Sequence, residues 1–225
     1  MRPYHPGAVA DTARLPAASG IVLAGGRSSR FGRDKLAEPI QGRPALHLAV
    51  LAVAAACREV IVVRAPGEPI ELPGNLPVPV SVVHDARPYE GPLAGTFTGL
   101  LAATQPLALV VGGDMPGLVH VVLATMLEAA EGSGRLAVAL GEGGHVRPLP
   151  CVVRSEAVDM AEALLLEGRR SLHDLLEALD VELIDEGVWK TLDPFARTLA
   201  DIDLPDDLSG AEDRPSAEDP SDTGG

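Results

Sequence analysis

Six short runs built mainly of aliphatic residues set the limits on what this chain can fold into. They lie at 21–24, 60–63, 80–83, 107–111, 136–140 and 149–153. Runs of Val, Leu, Ile and Ala that do not alternate with polar residues suit strands covered on both faces. Between them, helical spacing fits 44–56, 92–104, 118–131, 155–167 and 171–179. Pro44 and Pro92 stand where the first turn of a helix tolerates proline. Strands alternating with helices predict an α/β fold of Rossmann-like type, a mostly parallel sheet with helices on both faces. Apolar residues make up 46% of the 225, but aromatics only 3%, so Val, Leu, Ala and Ile must build the core. In such sheets ligands bind at the carboxyl ends of the strands. That rule selects the segments to read closely.

The two ends of the chain are of another kind. Residues 1–18 are rich in Pro, Ala and Arg without periodicity, and 209–225 are rich in Pro, Gly, Ser and acids. Neither composition can offset the entropy of ordering, so both are expected to be disordered, leaving one domain at 19–208. The net charge is −14, and from Asp201 onward nine acids face a single base, Arg214. An acidic surface excludes a nucleic-acid groove, which needs clustered positive charge. Cys57 and Cys151 have no paired spacing and read as buried core thiols. No run is apolar enough for a membrane helix and no signal-peptide pattern opens the chain, so a cytoplasmic protein with no membrane partner is expected.

The first strand runs into LAGGRSSRFGRDK, residues 23–35. Gly25 and Gly26 let the backbone approach a ligand closely and aim N–H groups at phosphate oxygens. Arg27, Arg30, Arg33 and Lys35 add positive charge. Lys35 is one of only two lysines among 18 basic residues, the other being Lys190, and a compact ammonium serves phosphate as a point charge. The spacing matches neither the P-loop nor the dinucleotide fingerprint. The plainer alternative is a glycine turn with solvated charges. The fourth strand ends in GGDMPG, with Asp114 just past it, placed either to hold a divalent cation such as Mg²⁺ or to cap the next helix. Asp85 follows the third strand, and Gly91-Pro92 then opens a helix whose N-terminus faces the same edge. Near the end, Asp201 and Asp203 alternate on an extended segment before Pro205, so both can face one site. Alternatively Asp203 only begins the cap of the tail.

Taken in order, LAGGRSSRFGRDK, DARPYEGPLAG, GGDMP, GRRSL and DIDLPDDL resemble the molybdenum cofactor guanylyltransferase family over about residues 19–208. The resemblance implies a nucleotidyltransferase domain in which Leu23, Ala24, Gly25 and Gly26 meet the guanine nucleotide, GTP. It implies that Lys35 meets the phosphates, that Asp85 contributes to the nucleotide site and that Asp114 binds Mg²⁺. Asp201 and Asp203 are the further candidate metal ligands, and Lys35, Arg30 and Asp114 the candidate catalytic residues. The acceptor implied is molybdopterin, whose terminal phosphate attacks the α-phosphorus and releases pyrophosphate. Three positions differ from the usual family residues: Arg64 stands where Asn is common, Arg147 where Gln or His is, and Asp201-Ile202-Asp203 where Asn-x-Asn is. The last form resembles the cytidylyltransferases, whereas Leu-Ala-Gly-Gly resembles the guanylyltransferases. Three alternatives therefore stand beside GTP and molybdopterin: CTP as donor, another phosphate acceptor, or a nucleotide-binding regulator without catalysis.

Overall fold

Side chains on a strand alternate between the two faces of a sheet, and here both faces are filled. The computed structural model describes residues 15–25, 35–40, 42–67, 70–85 and 91–201. The strands among them are β1 (Ala18–Leu23), β2 (Pro39–Ile40), β3 (Arg43–Pro44), β4 (Glu59–Arg64), β5 (Val80–His84), β6 (Leu107–Gly112), β7 (Ala137–Glu142), β8 (His145–Arg154) and β9 (Val181–Ile184). The helices are α1 (Ala45–Ala54), α2 (Pro92–Ala102), α3 (His120–Ser133), α4 (Ala157–Leu166), α5 (Leu172–Ala178) and α6 (Glu186–Leu192). Val22, Val62, Leu109 and Val111 point to the face covered by α1, α3 and Trp189 of α6. Ile21, Ile61, Val63 and Val110 point to the other, covered by α2, α4 and α5. Fully burying one such side chain contributes about 1.5–3 kcal/mol, so each strand helps hold two layers of helices at once.

Seven strands form the sheet in the order β5-β4-β1-β6-β8-β7-β9, and β2 and β3 pair as a separate ribbon. β1 pairs in parallel with both β4 and β6, and β4 with β5. The chain steps from β1 to β4 through α1 on one face, then on to β5. It returns through α2 on the opposite face to β6, on the other side of β1. Connections therefore diverge between β1 and β6, which is where a crevice opens beyond the carboxyl ends. Register makes these ends level: Leu23 pairs with Val63 and with Gly112, and Val63 with Val83.

The mostly parallel sheet with helices on both faces is as the sequence predicts, with differences in detail. β8 is antiparallel to both β6 and β7, which puts the β7–β8 turn on the same edge as the end of β6. β9 and α6 are elements that the pattern of aliphatic runs does not predict. Trp189, wholly buried, is what anchors α6. β1 starts at Ala18 rather than residue 21, and residues 15–18 are packed rather than belonging to an extension: Leu15 lies against the core, and its carbonyl accepts from Arg58 Nε at 3.0 Å. Both cysteines are buried and unbridged. Among the described residues no helix is long and apolar enough to cross a membrane.

Candidate functional site

The last peptide groups of β1 bond to both neighbours. Ala24 N–H donates to the Val63 carbonyl at 2.8 Å, and the Leu23 carbonyl accepts from Gly113 N–H at 2.9 Å. The loop after β1 is thereby fixed side by side with the loop after β6. Leu23 is half-buried, Ala24 buried and Gly25 exposed. Asp114, half-buried, sits directly on the second loop. A methyl group at Gly112 would lie 2.5 Å from Asp114 Oδ1, and one at Gly113 would lie 3.2 Å from the Leu23 carbonyl and 3.4 Å from Leu36 Cδ2. Gly112 thus leaves the carboxylate its place, and Gly113 lies in close contact with the backbone of β1. Leu36, packed over Gly113, belongs to the 3₁₀ turn Lys35–Ala37, so the backbone of Lys35 lies one residue from that contact. α3 begins only at His120 with Val119 as its N-cap; Asp114 is therefore not a helix cap, and the plainer reading of it falls away.

Asp85 flanks β1 on the other side. Its N–H donates to the Arg64 carbonyl at 3.0 Å, and its Oδ1 accepts from the Thr98 hydroxyl at 2.8 Å. Its other oxygen is 3.9 Å from where a methyl on Gly25 would be and 3.8 Å from one on Gly95. Asp85 is therefore held against the β1 loop from α2. Thr98 is not legible in the sequence, because a hydroxyl inside an amphipathic helix carries no signal of its partner. Arg64 is almost fully buried and directs Nη1 at the Ala24 carbonyl, 3.4 Å away. Its place at the end of an apolar strand is the only clue to that role.

The N-terminus of α2 does face this edge, but it is partly closed. The Arg170 carbonyl accepts from Leu93 N–H at 3.2 Å. Gly91 has φ +92°, and a methyl there would sit 2.7 Å from that same carbonyl. The GRRSL segment therefore docks on the helix start rather than leaving it open.

The remaining expectations divide. Asp201 is exposed and follows a 3₁₀ turn, Arg197–Leu199. That turn packs so closely on the loop after Asp114 that a methyl at Gly117 would lie 2.5 Å from the Arg197 carbonyl. Gly26, Arg30 and Asp203 lie outside the described residues, as does the side chain of Lys35. Among the described residues no three His, Cys, Asp or Glu side chains converge as a metal cluster. The second lysine, Lys190, is committed elsewhere: hydrogen bonds to Glu186 and then Glu142 raise its ammonium above the usual range. Glu186 in turn is held below the usual carboxylate range, by the Gly143 N–H and then by Lys190.

Level strand ends thus carry a glycine-bearing loop bonded to a carboxylate loop, with a second carboxylate on the far side. Residues 20–183 match the model of the MobA-like NTP transferase domain. The chain belongs to the MobA-like NTP transferase family. It is 35% identical over 196 residues to a protein of Chloroflexus aggregans named "Probable molybdenum cofactor guanylyltransferase", across 84% of this chain and 91% of that one. It is likewise 35% identical over 168 residues to a Mycobacterium tuberculosis protein of the same name, across 72% and 80%. Among solved structures it is similar to molybdopterin-guanine dinucleotide biosynthesis protein A of Archaeoglobus fulgidus, with TM-score 0.71 and 23% identity over 86% of this chain and 96% of that one. It is also similar in fold to 2-C-methyl-D-erythritol 4-phosphate cytidylyltransferase of Thermus thermophilus, with TM-score 0.62 and 22% identity over 86% and 96%. As a MobA-like NTP transferase the chain is a nucleotidyltransferase.

Proposed function

We propose that the protein transfers GMP from GTP to the terminal phosphate of molybdopterin. The acceptor oxygen forms a bond to the α-phosphorus, the bond from that phosphorus to the bridging oxygen breaks, and pyrophosphate leaves. A phosphate monoester has its second pKa near about 6 and is largely ionised at neutral pH, so the attack needs no general base. What remains for the protein is positioning and charge neutralisation. Leu23, Ala24 and Gly25, with Gly26 beyond them, hold the nucleotide; Asp85 contributes from the α2 side. Lys35 and Arg30 oppose the charge of the phosphates and the departing pyrophosphate.

Asp114 is a fitting ligand for Mg²⁺: a hard oxygen donor at a strand end, above a glycine that leaves it room. Asp201 or Asp203 is the second carboxylate. Bound there, Mg²⁺ would neutralise charge on the phosphate oxygens. The observation that supports this reading is the bond between Leu23 and Gly113, which holds the loop after β1 beside the loop that carries Asp114.

Guanine is favoured by the Leu-Ala-Gly-Gly form of the first loop and by the names of the relatives at 35% identity. CTP is the competing donor, on the strength of Asp201-Ile202-Asp203. The deciding measurement incubates the protein with Mg²⁺ and each of the four nucleoside triphosphates, with and without molybdopterin, and follows pyrophosphate. GTP is expected to give the higher kcat/KM by a wide margin, because a site that hydrogen-bonds one base leaves polar groups unpaired with another. A higher value for CTP would reassign the base; no release with any nucleotide would end the reading.

A further inference from the structure

Asp193 is completely buried, a costly place for a carboxylate unless it is hydrogen-bonded. Its Oδ2 accepts from the Thr198 N–H at 2.7 Å, and Arg197 Nε approaches Oδ1 at 3.6 Å. The Thr198 hydroxyl, on a residue that is also completely buried, accepts from the Val119 N–H at 3.2 Å. Val119 ends the loop that begins at Asp114. In the other direction the Asp193 N–H donates to the Trp189 carbonyl at 3.0 Å, and the Trp189 indole N–H donates to the Gly141 carbonyl of β7 at 2.8 Å. A chain of bonds thus runs from the end of β7, through α6, to the loop beyond β6. Between its anchors the backbone turns through Ala196 at φ +50°, a conformation that side chains disfavour and that persists only where the surroundings impose it. Two residues past the anchored turn comes Asp201.

We infer that Asp193 and Thr198 are positioning residues: they clamp the late segment onto the Asp114 loop so that Asp201 and Asp114 face the same metal–nucleotide complex. This rests on the metal role proposed above for those two carboxylates. Neither Asp193 nor Thr198 touches substrate in this assignment. Thr198 acts through Val119 and Asp201, and Asp193 acts through Thr198.

The test uses the full chain and Mn²⁺ as probe, read by electron paramagnetic resonance in the presence of GTP, beside steady-state kinetics. Thr198→Val is expected to weaken Mn²⁺ binding about tenfold, as loss of a group that orients a metal ligand does. The KM for GTP should stay within about twofold, because the β1 loop is untouched. Thr198→Ser, which keeps the hydroxyl, should restore binding. The double variant Thr198→Val with Asp201→Asn should bind no more weakly than Asp201→Asn alone, the signature of residues acting in series. Unchanged Mn²⁺ binding in Thr198→Val, or losses that simply add, would overturn the inference. Hydrogen exchange on the unmodified protein gives a reading independent of any variant's folding. Mg²⁺ with GTP should slow exchange at 117–119 and at 197–199 together, and slowing confined to one of them would overturn the clamp. Asp114→Ala separates the two levels. If it binds Mn²⁺ as the unmodified protein does, the metal reading itself fails; if it does not while Thr198→Val binds normally, only the clamp fails.

Discussion

β1 and β4 lie side by side, and their two ends are built on opposite principles. At the amino end Glu59 Oε1 accepts from the Ser19 hydroxyl at 2.5 Å, the Thr104 N–H at 2.8 Å and the Thr104 hydroxyl at 2.7 Å. Ser19 Oγ accepts in turn from Gln105 N–H at 3.2 Å. Side chains there satisfy one another and close the end of the sheet. At the carboxyl end the short bonds that tie strand to strand are backbone bonds, from Ala24 to Val63 and from Gly113 to Leu23, with the Arg64 guanidinium reaching the Ala24 carbonyl at 3.4 Å beside them. Ala24, Gly25, Gly112 and Gly113 are small there, and a carboxylate stands on either flank. One end consumes its polar groups in holding the fold; the other keeps room beside polar groups of fixed position. Substitutions at the two ends should therefore fail in different assays.

The largest effect is expected from Asp114→Ala. Removing the carboxylate proposed to hold the metal should lower kcat by about a hundredfold to a thousandfold, the scale of losing a main electrostatic stabiliser. The melting temperature should hardly move. Near-normal turnover at limiting Mg²⁺ would break the comparison at its functional end.

Gly112→Ala comes next and tests whether room, rather than chemistry, is what the carboxyl end supplies. Its methyl would meet Asp114 Oδ1 at 2.5 Å, so the carboxylate must shift. A loss of about tenfold or more in kcat is expected, in line with the sensitivity of catalysis to misplacements of about 1 Å. Activity equal to that of the unmodified protein would show that the site does not depend on this spacing.

The amino end should respond in stability alone. Partial burial of Glu59 works against ionisation, but the hydrogen bonds from Ser19 and then Thr104 outweigh it and hold the carboxyl below its usual range. A depressed folded-state pKa means that the stabilisation is present above the unfolded value and is lost as pH falls through the folded one. Glu59→Gln should cost about 1–2 kcal/mol near neutral pH, the scale of hydrogen bonds to a charged group. The gap between variant and parent should close as the pH drops below about 4. Denaturant melts at several pH values measure it; a gap that does not depend on pH would sink the account. Smallest of all, deleting residues 209–225 should leave melting and turnover unchanged, because Pro, Gly, Ser and acids cannot support packing. A fall in either would show that the tail bears on one of the two ends.

The alternation of aliphatic runs makes the α/β layout legible, because strands covered on both faces need that pattern, and β4 and β6 carry it plainly. β9 is harder to see. Val181, Leu183 and Ile184 form a short run, but Leu183 is 46% exposed on an outer strand, so apolarity alone does not mark it. The reversal of β8 is legible only in its turn, since Gly143-Gly144 between Glu142 and His145 is the two-residue signal of a hairpin, whereas the aliphatic runs at 136–140 and 149–153 carry no direction of their own. At the site, glycines and acids following strands point to Gly25, Asp85 and Asp114, because chain position relative to a strand end is written in the sequence. The partners that set their geometry are not: Thr98, Arg64 and the Asp193–Thr198 pair reach across distances in sequence that no local pattern encodes.

Because β8 runs backward, the turn at Gly143 and Gly144 emerges on the same edge as Asp114. Both glycines have positive φ, and nothing lies within 4 Å of where their side chains would begin. Insertions at that turn would lengthen the rim over the crevice without moving a core residue. The strands that carry the loop proposed to hold the nucleotide then stay fixed through a lineage while the rim is rewritten, so that altering the surroundings of the crevice is an evolutionary step separable from altering its floor.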